Sequence, residues 1–321
     1  MAEQKLFWRD WEIQQKLGSG SYGAVYQIRK QLPGGLDPET AALKVISIPG
    51  NPQDIQDLVD RNFDEEAITA HFAGQLQDIL KEYAIMKDLK GHSNIVYCDD
   101  VHCVPHEDGI GWNIYIKMEL LTPLRSVLRA EYREGEVVKL GMDIAAALAH
   151  CHRSGVIHRD VKPQNILVSR TGEYKLGDFG TAKYSEGTAA ATMTGTYEYM
   201  APEVFRRQKY NATADIYSLG IVMYYLMNHR RLPFVPVSRE IPTAAQVETA
   251  FQRRLRGEAL PEPINGSAEL KRIVLKACAH DPKNRYPSAE DLLRDLSILS
   301  GQEIPADAGV GARIFVPAAQ E

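Results

Sequence analysis

The chain has only four cysteines, Cys98, Cys103, Cys151 and Cys278, and no regular spacing between them. That excludes a disulfide framework and fits a reducing compartment. Positive charge is not in excess either. A net charge of −5 leaves no electrostatic footprint for nucleic acid, and no basic run is long enough for an anionic membrane surface. Long apolar runs are also lacking: the longest, IYSLGIVMYYLM from Ile216 to Met227, falls short of the roughly 20 residues a spanning helix needs. It reads as a helix apolar all round, buried in the middle of a helical lobe. The first residues, MAEQKLFWRDWEIQQ, show neither an apolar signal core nor a transit-peptide composition, so a cytoplasmic location is expected. What is present is 321 residues, 44% of them apolar, enough for one large globular domain or two modest ones.

Between Trp11 and Ile48 the segments WEIQQKLG, AVYQIRKQL and TAALKVISI are short, rich in β-branched and aromatic residues, and divided by Gly and Pro, which predicts antiparallel strands. From Asp64 to Leu89, Ile68, Phe72, Leu76, Ile79, Tyr83 and Met86 recur at the spacing of one helical face. NIVYCDDVHCV and WNIYIKMELL predict two more strands, and beyond Thr122 the pattern turns helical, with Val137, Leu140, Ile144, Leu148 and Cys151 marking a face that stops at Gly155. A strand-rich first third and a helix-rich remainder define an α+β arrangement with a seam near residue 121. Seams between lobes are where ligands tend to sit. The segment from Ser300 to Glu321 is rich in Ala, Gly and Pro without periodicity and reads as a linker.

Several short stretches carry chemistry. GSGSYGAV, Gly18 to Val25, lies between two strands, which is not the strand-to-helix setting of a dinucleotide fingerprint. Without Cβ atoms at Gly18, Gly20 and Gly23, the hairpin backbone can approach an anion such as a phosphate. Lys44 ends AALK inside an apolar strand; near that hairpin it would be a point charge for phosphate and would need a carboxylate partner, for which Glu82 on the long helix is the candidate. HRDVKPQN, residues 158 to 165, supplies Asp160 to take a proton from a hydroxyl, Lys162 to neutralise a transferring group and Asn165 to hold a metal through its amide oxygen. GDFG then places Asp178 on a Gly-flanked turn, and its carboxylate suits Mg²⁺. Together these parts describe phosphoryl transfer from a nucleotide.

Over residues of roughly 10 to 298 these strings resemble a eukaryotic-type (Hanks-type) serine/threonine protein kinase catalytic domain. The resemblance implies a bilobal fold: a small antiparallel β-sheet N-lobe with one long helix (1–121, with an insert at about 49–75), a larger mainly α-helical C-lobe (122–299), and a flexible tail (300–321). It implies ATP and Mg²⁺ as cofactors, with Gly18, Gly20 and Gly23 over the phosphates, Lys44 on the α- and β-phosphates and paired with Glu82, Asp160 as base, Lys162 on the γ-phosphate, and Asn165 and Asp178 on the metal. Val25, Ala42 and Leu167 would sandwich adenine, Met118 would be the gatekeeper, and Glu119 and Leu121 would offer hinge backbone groups. Glu203 of APE is expected to pair with Arg285, and Asp215 to brace the catalytic loop. Lys162 and Thr196 of GTYEY accompany serine/threonine specificity in the family, so protein substrates phosphorylated on those hydroxyls are expected.

Arg159, with Lys183, would form a basic cluster that a phosphate on Thr192, or on Thr188, would settle. Activation by autophosphorylation, in trans through self-association, is therefore expected. The interval from Lys44 to Glu82 exceeds the family's usual span by about a helix and a turn. It reads either as a tolerated surface insertion or as a docking surface that biases the Glu82 helix. Tyr217 stands where the family often has tryptophan. CDDVHCVPH, Cys98 to His106, fits no standard zinc pattern, and strand alternation would put Cys98 and His102 on one face and Cys103 on the other. The rival reading is a pseudokinase or nucleotide-binding scaffold, against which Lys44, Asp160, Asn165 and Asp178 speak. A cytosolic part of a longer membrane-anchored protein is compatible with all of this.

Overall fold

The computed structural model describes residues 8, 10–20, 23–107, 109–129, 131–179, 183–184, 197–238 and 240–302, with the side chains of 19, 20, 183 and 184 excepted. Strands β1 (Trp11–Gly20), β2 (Gly23–Lys30) and β3 (Glu39–Ile48) form a meander. Helices α1 (Gln53–Val59) and α2 (Glu65–Asp88) follow, and then strands β4 (Cys98–Pro105) and β5 (Trp112–Glu119). The five strands make one antiparallel sheet in the order β1-β2-β3-β5-β4. Its outer face buries Trp11, Ile28, Leu43 and Tyr115, while Ile46, Ile114 and Ile116 turn inward to the main core. Period-2 alternation along β3 and β5 explains the division.

Helix α2 starts where Asp64 accepts a hydrogen bond from the Ala67 N–H at 2.8 Å, with Glu65 and Glu66 in its first turn and Lys87 in its last. It buries Ile68, Phe72, Leu76, Ile85 and Met86 against the sheet and the core. The insert is a folded helix: Ile55 and Leu58 of α1 pack onto the same core.

Strand β6 (Thr122–Pro123) leads into α3 (Glu134–Arg153). The short strands β7 (Val156–Ile157), β8 (Ile166–Val168), β9 (Tyr174–Leu176) and β10 (Lys183–Tyr184) come next. Helices α4 (Pro202–Phe205), α5 (Thr213–Met227), α6 (Ala244–Leu255), α7 (Ala268–Ala277) and α8 (Ala289–Ser300) complete the second lobe. In α5 every residue but Tyr225 is buried, which is the environment its run from Ile216 to Met227 calls for. α3 packs on α5 and α8, and its run Ile144–Ala149 is fully buried; its four alanines let the helices approach closely. The expected sheet lobe and helical lobe are thus both present.

One expectation fails at β4. A bulge between Cys98 and Asp100 shifts the register by one residue and reverses the alternation. Cys98 therefore faces α2, where its thiol meets the Met86 sulfur at 3.6 Å, while His102 lies edge-on to Trp8 and bonds Asp100 at 3.1 Å on the opposite face. The two do not share a face. Burial pushes the Cys98 thiol up to about 12, the reverse of the thiolate a metal requires.

Candidate active site

The loop between β7 and β8 is fixed from beneath by Asp215 near the start of α5. Its carboxylate accepts the main-chain N–H groups of His158 (2.9 Å) and Arg159 (2.7 Å) and the Nε2–H of His152 (2.9 Å). Arg159 is thereby held at φ +70°, a region non-glycine residues rarely enter. Burial is the largest influence on the Asp215 carboxyl and acts upward, yet the bonds and charges from His152, His158 and the Arg159 N–H outweigh it and leave the group below its ordinary value.

Above this brace, Asp160 is tied on two sides. The Lys162 Nζ lies 2.6 Å from its Oδ2, and the Asn165 Nδ2 donates to both Oδ2 (2.9 Å) and the Asp160 carbonyl (2.8 Å). Asn165 in turn accepts the Gly177 N–H at 2.9 Å through its main-chain carbonyl, so the residue immediately before Asp178 is bonded to the loop that carries Asp160. The His158 ring spans the same gap: its Nε2–H donates to the Gly177 carbonyl at 3.1 Å, and it packs against Phe179 at a centroid distance of 4.8 Å. Asp178 sits at φ +60° and is exposed, with no hydrogen bond or ion pair among the described residues. With its nitrogen committed to Asp160, the Asn165 amide has its oxygen left over for a ligand, no hydrogen bond to it being present among the described residues. Two hard oxygen donors, one charged and one neutral, are what a small divalent cation accepts beside phosphate oxygens, so the residues fit such an ion.

On the opposite side, β3 carries Lys44 across from Val25 and Ala42 across from Met118. Lys44 acts electrostatically on Glu82 of α2, but no ion pair within 4.0 Å joins them among the described residues. Burial raises the Glu82 carboxyl, Lys44 opposes that rise, Asp178 adds to it, and the nearby Phe179 main chain opposes it. Leu167 of β8 lies under Gly177, where a Cβ would come within 2.9 Å of its Cδ1. Gly23 is required for a reason other than phosphate access: its φ is +128°, and a Cβ there would fall 2.0 Å from the Val45 carbonyl oxygen. Gly18 faces open space, and Gly20 closes β1.

Two relationships at the seam were not foreseen from sequence. The Glu119 N–H is already used by the Tyr97 carbonyl at 3.1 Å, so the main-chain group left for a ligand is its carbonyl. Its carboxylate accepts the Tyr97 N–H (2.7 Å) and is gripped by Lys175 Nζ at 2.8 and 2.9 Å, fastening the end of β5 to β9. The expected Glu203–Arg285 pair is bidentate, 2.6 and 2.9 Å, and buried. Arg159 lies under the Tyr210 ring (5.1 Å), and its Nε is buried without a partner among the described residues. Thr188, Thr192 and Thr196 lie outside the described residues, and only the backbone of Lys183 is described.

The sequence profile of the protein kinase domain matches residues 11–296. The chain therefore belongs to the protein kinase domain family, which uses ATP and a divalent metal. It is similar to the probable serine/threonine-protein kinase PknB of Lactococcus lactis, 29% identical over 91% of this chain and 42% of that protein. It is also similar to a probable serine/threonine-protein kinase of Streptomyces coelicolor (34%, over 62% and 30%) and to PknB of Mycobacterium leprae (34%, over 59% and 31%). The chain spans less than half the length of these curated relatives. No helix among the described residues is long and apolar enough to cross a membrane.

Proposed function

We propose that the chain is a serine/threonine protein kinase that moves the γ-phosphoryl group of Mg-ATP to hydroxyls of protein substrates. One observation carries the reading: Asp160 and the residue before Asp178 are both bonded to Asn165, which holds a carboxylate suited to a hydroxyl proton beside oxygens suited to a metal. In this reading Asp160 orients the substrate hydroxyl and takes its proton, and Lys162, already beside Asp160, offsets charge on the group in flight. Asn165 and Asp178 would hold Mg²⁺, which when bound neutralises charge on the phosphate oxygens. Lys44 would hold the α- and β-phosphates, and its pairing with Glu82 would tighten with nucleotide in place, since apo geometry is often loose. Gly18, Gly20 and Gly23 would cover the phosphates; Val25, Ala42, Leu167, Met118, Glu119 and Leu121 would bound the adenine, and Thr196 the substrate hydroxyl.

The Arg159 guanidinium, whose Nε is buried without a partner among the described residues, would with Lys183 receive a phosphate on Thr192 or Thr188, making the kinase self-activating through a second copy. Residues 1–121 would act as the nucleotide-covering lobe and 122–299 as the substrate lobe. Incubation with γ-labelled ATP, Mg²⁺ and a generic protein substrate, followed by phosphoamino-acid analysis, tests the reading. Label on serine or threonine is expected; label on tyrosine alone, or nucleotide binding with no transfer, contradicts it.

A further inference from the structure

A cavity of about 260 Å³ opens beside the loop that carries Asp160, with Pro163 and Gln164 in its wall. Arg125, Arg230 and Arg231 also line it, against one carboxylate, Glu198. None of the three guanidiniums pairs with a carboxylate among the described residues. Arg231 donates to the carbonyls of Ser238 (3.3 Å) and Glu240 (2.8 Å), which pins it, and its Nε is buried without a partner among the described residues. The Gln164 side-chain oxygen is buried and unpartnered in the same way. Half burial raises the Glu198 carboxyl, with Arg254 acting in the other direction.

The backbone that delivers two of these arginines is strained. In the turn after α5, His229 (φ +50°) and Arg230 (φ +58°) are consecutive non-glycine residues in the left-handed region. The turn is held there by the Arg230 N–H on the Tyr225 carbonyl (2.9 Å) and by the Asn228 amide, which donates to the Arg231 carbonyl (3.1 Å) and accepts the Ile264 N–H (3.3 Å). A conformation that costs energy, over-determined by its neighbours, places positive charge beside the proposed phosphoacceptor site.

We infer that this cavity is a substrate subsite for an anionic side chain, a carboxylate or a phosphorylated residue, in the polypeptide being phosphorylated. The inference rests on the kinase reading above. Three guanidiniums against one carboxylate attract an anion and repel a lysine or arginine at the same position. The unpartnered Gln164 oxygen accepts a main-chain N–H of the same extended peptide, which fixes the register of the anion relative to the hydroxyl.

Peptides that share one threonine acceptor and carry Glu, phosphoserine, Ala or Lys at a single flanking position, scanned position by position, are assayed for kcat/KM with Mg-ATP. At one position Glu or phosphoserine should exceed Ala by about tenfold, with Lys below Ala. Phosphoserine above Glu identifies a doubly charged phosphate as the preferred anion; the reverse identifies a carboxylate. Arg125→Ala and Arg230→Ala should shrink the ratio, and Arg230→Glu should invert it in favour of the Lys peptide, which misfolding does not produce. Equal kcat/KM for all four residues at every position, or ratios unchanged in the arginine variants, overturns the inference and leaves the kinase reading standing. No turnover on any peptide or protein overturns both.

Discussion

Asn165 donates through one amide nitrogen to both the carboxylate and the carbonyl of Asp160, at 2.9 and 2.8 Å. The bond sets the direction in which the Asp160 carboxylate points, and it commits the Asn165 nitrogen so that its oxygen is free for a cation. Asp160→Asn keeps the shape and removes the proton acceptor. Transfer should fall by about 10²- to 10⁴-fold with nucleotide affinity retained, as read by steady-state kinetics beside nucleotide titration.

Glu82 illustrates a carboxylate whose burial costs stability. Burial is the largest influence on it and raises its carboxyl above the ordinary 4.5. The folded state thus holds the proton more tightly than the unfolded chain, so stability declines as pH rises from the ordinary value through the raised one. Glu82→Gln should abolish that decline, leave the melting temperature unchanged or higher near neutral pH, and still lower turnover about tenfold or more. Thermal melts across the pH series, paired with activity, separate the two effects.

Asp215 has the opposite sign. Its carboxyl lies below the ordinary 3.8 because the His152 bond, the neighbouring histidines and the main-chain N–H donors outweigh desolvation. The stability it contributes is complete above the unfolded value and is lost as pH falls through the folded one. Asp215→Asn leaves donors facing an amide nitrogen and should cost about 3 kcal/mol near neutral pH. Urea melts should show that difference narrowing as pH drops below about 4.

The Arg159 guanidinium is buried beneath Tyr210 with an unpartnered Nε. If a phosphate on Thr192 or Thr188 settles it, phosphatase treatment should lower kcat/KM about tenfold or more, and Arg159→Ala should make activity indifferent to the treatment. Intact-mass analysis of fully active protein that shows no phosphate on either threonine would contradict this.

What could be read from residue type and local spacing is the HRDVKPQN loop beside GDFG, which the structure joins through Asn165 and Gly177, and the Glu203–Arg285 pair. The apolar run of α5 and the amphipathic α2 were equally plain, because the apolar pattern reports burial directly. What stayed hidden depends on register and on contacts far apart in the chain. The bulge that turns Cys98 away from His102 adds one residue without a compositional mark. The Lys175 grip on Glu119 joins residues 56 positions apart. His152 reads as one more polar residue on α3 until α5 brings Asp215 to it. The glycine pattern pointed to Gly23, but the Val45 carbonyl that leaves no room for a side chain there is visible only in the fold.

The central claim is that Asp160 and Asp178 act together on one metal-bound triphosphate, and calorimetric titration of nucleotide with and without Mg²⁺, run alongside γ-phosphate transfer, tests it most directly. Wild-type protein should bind ATP more tightly with Mg²⁺ and transfer its phosphate, whereas Asp178→Ala should bind ATP with no dependence on Mg²⁺ and transfer none. Transfer by Asp178→Ala at the wild-type rate would contradict the account.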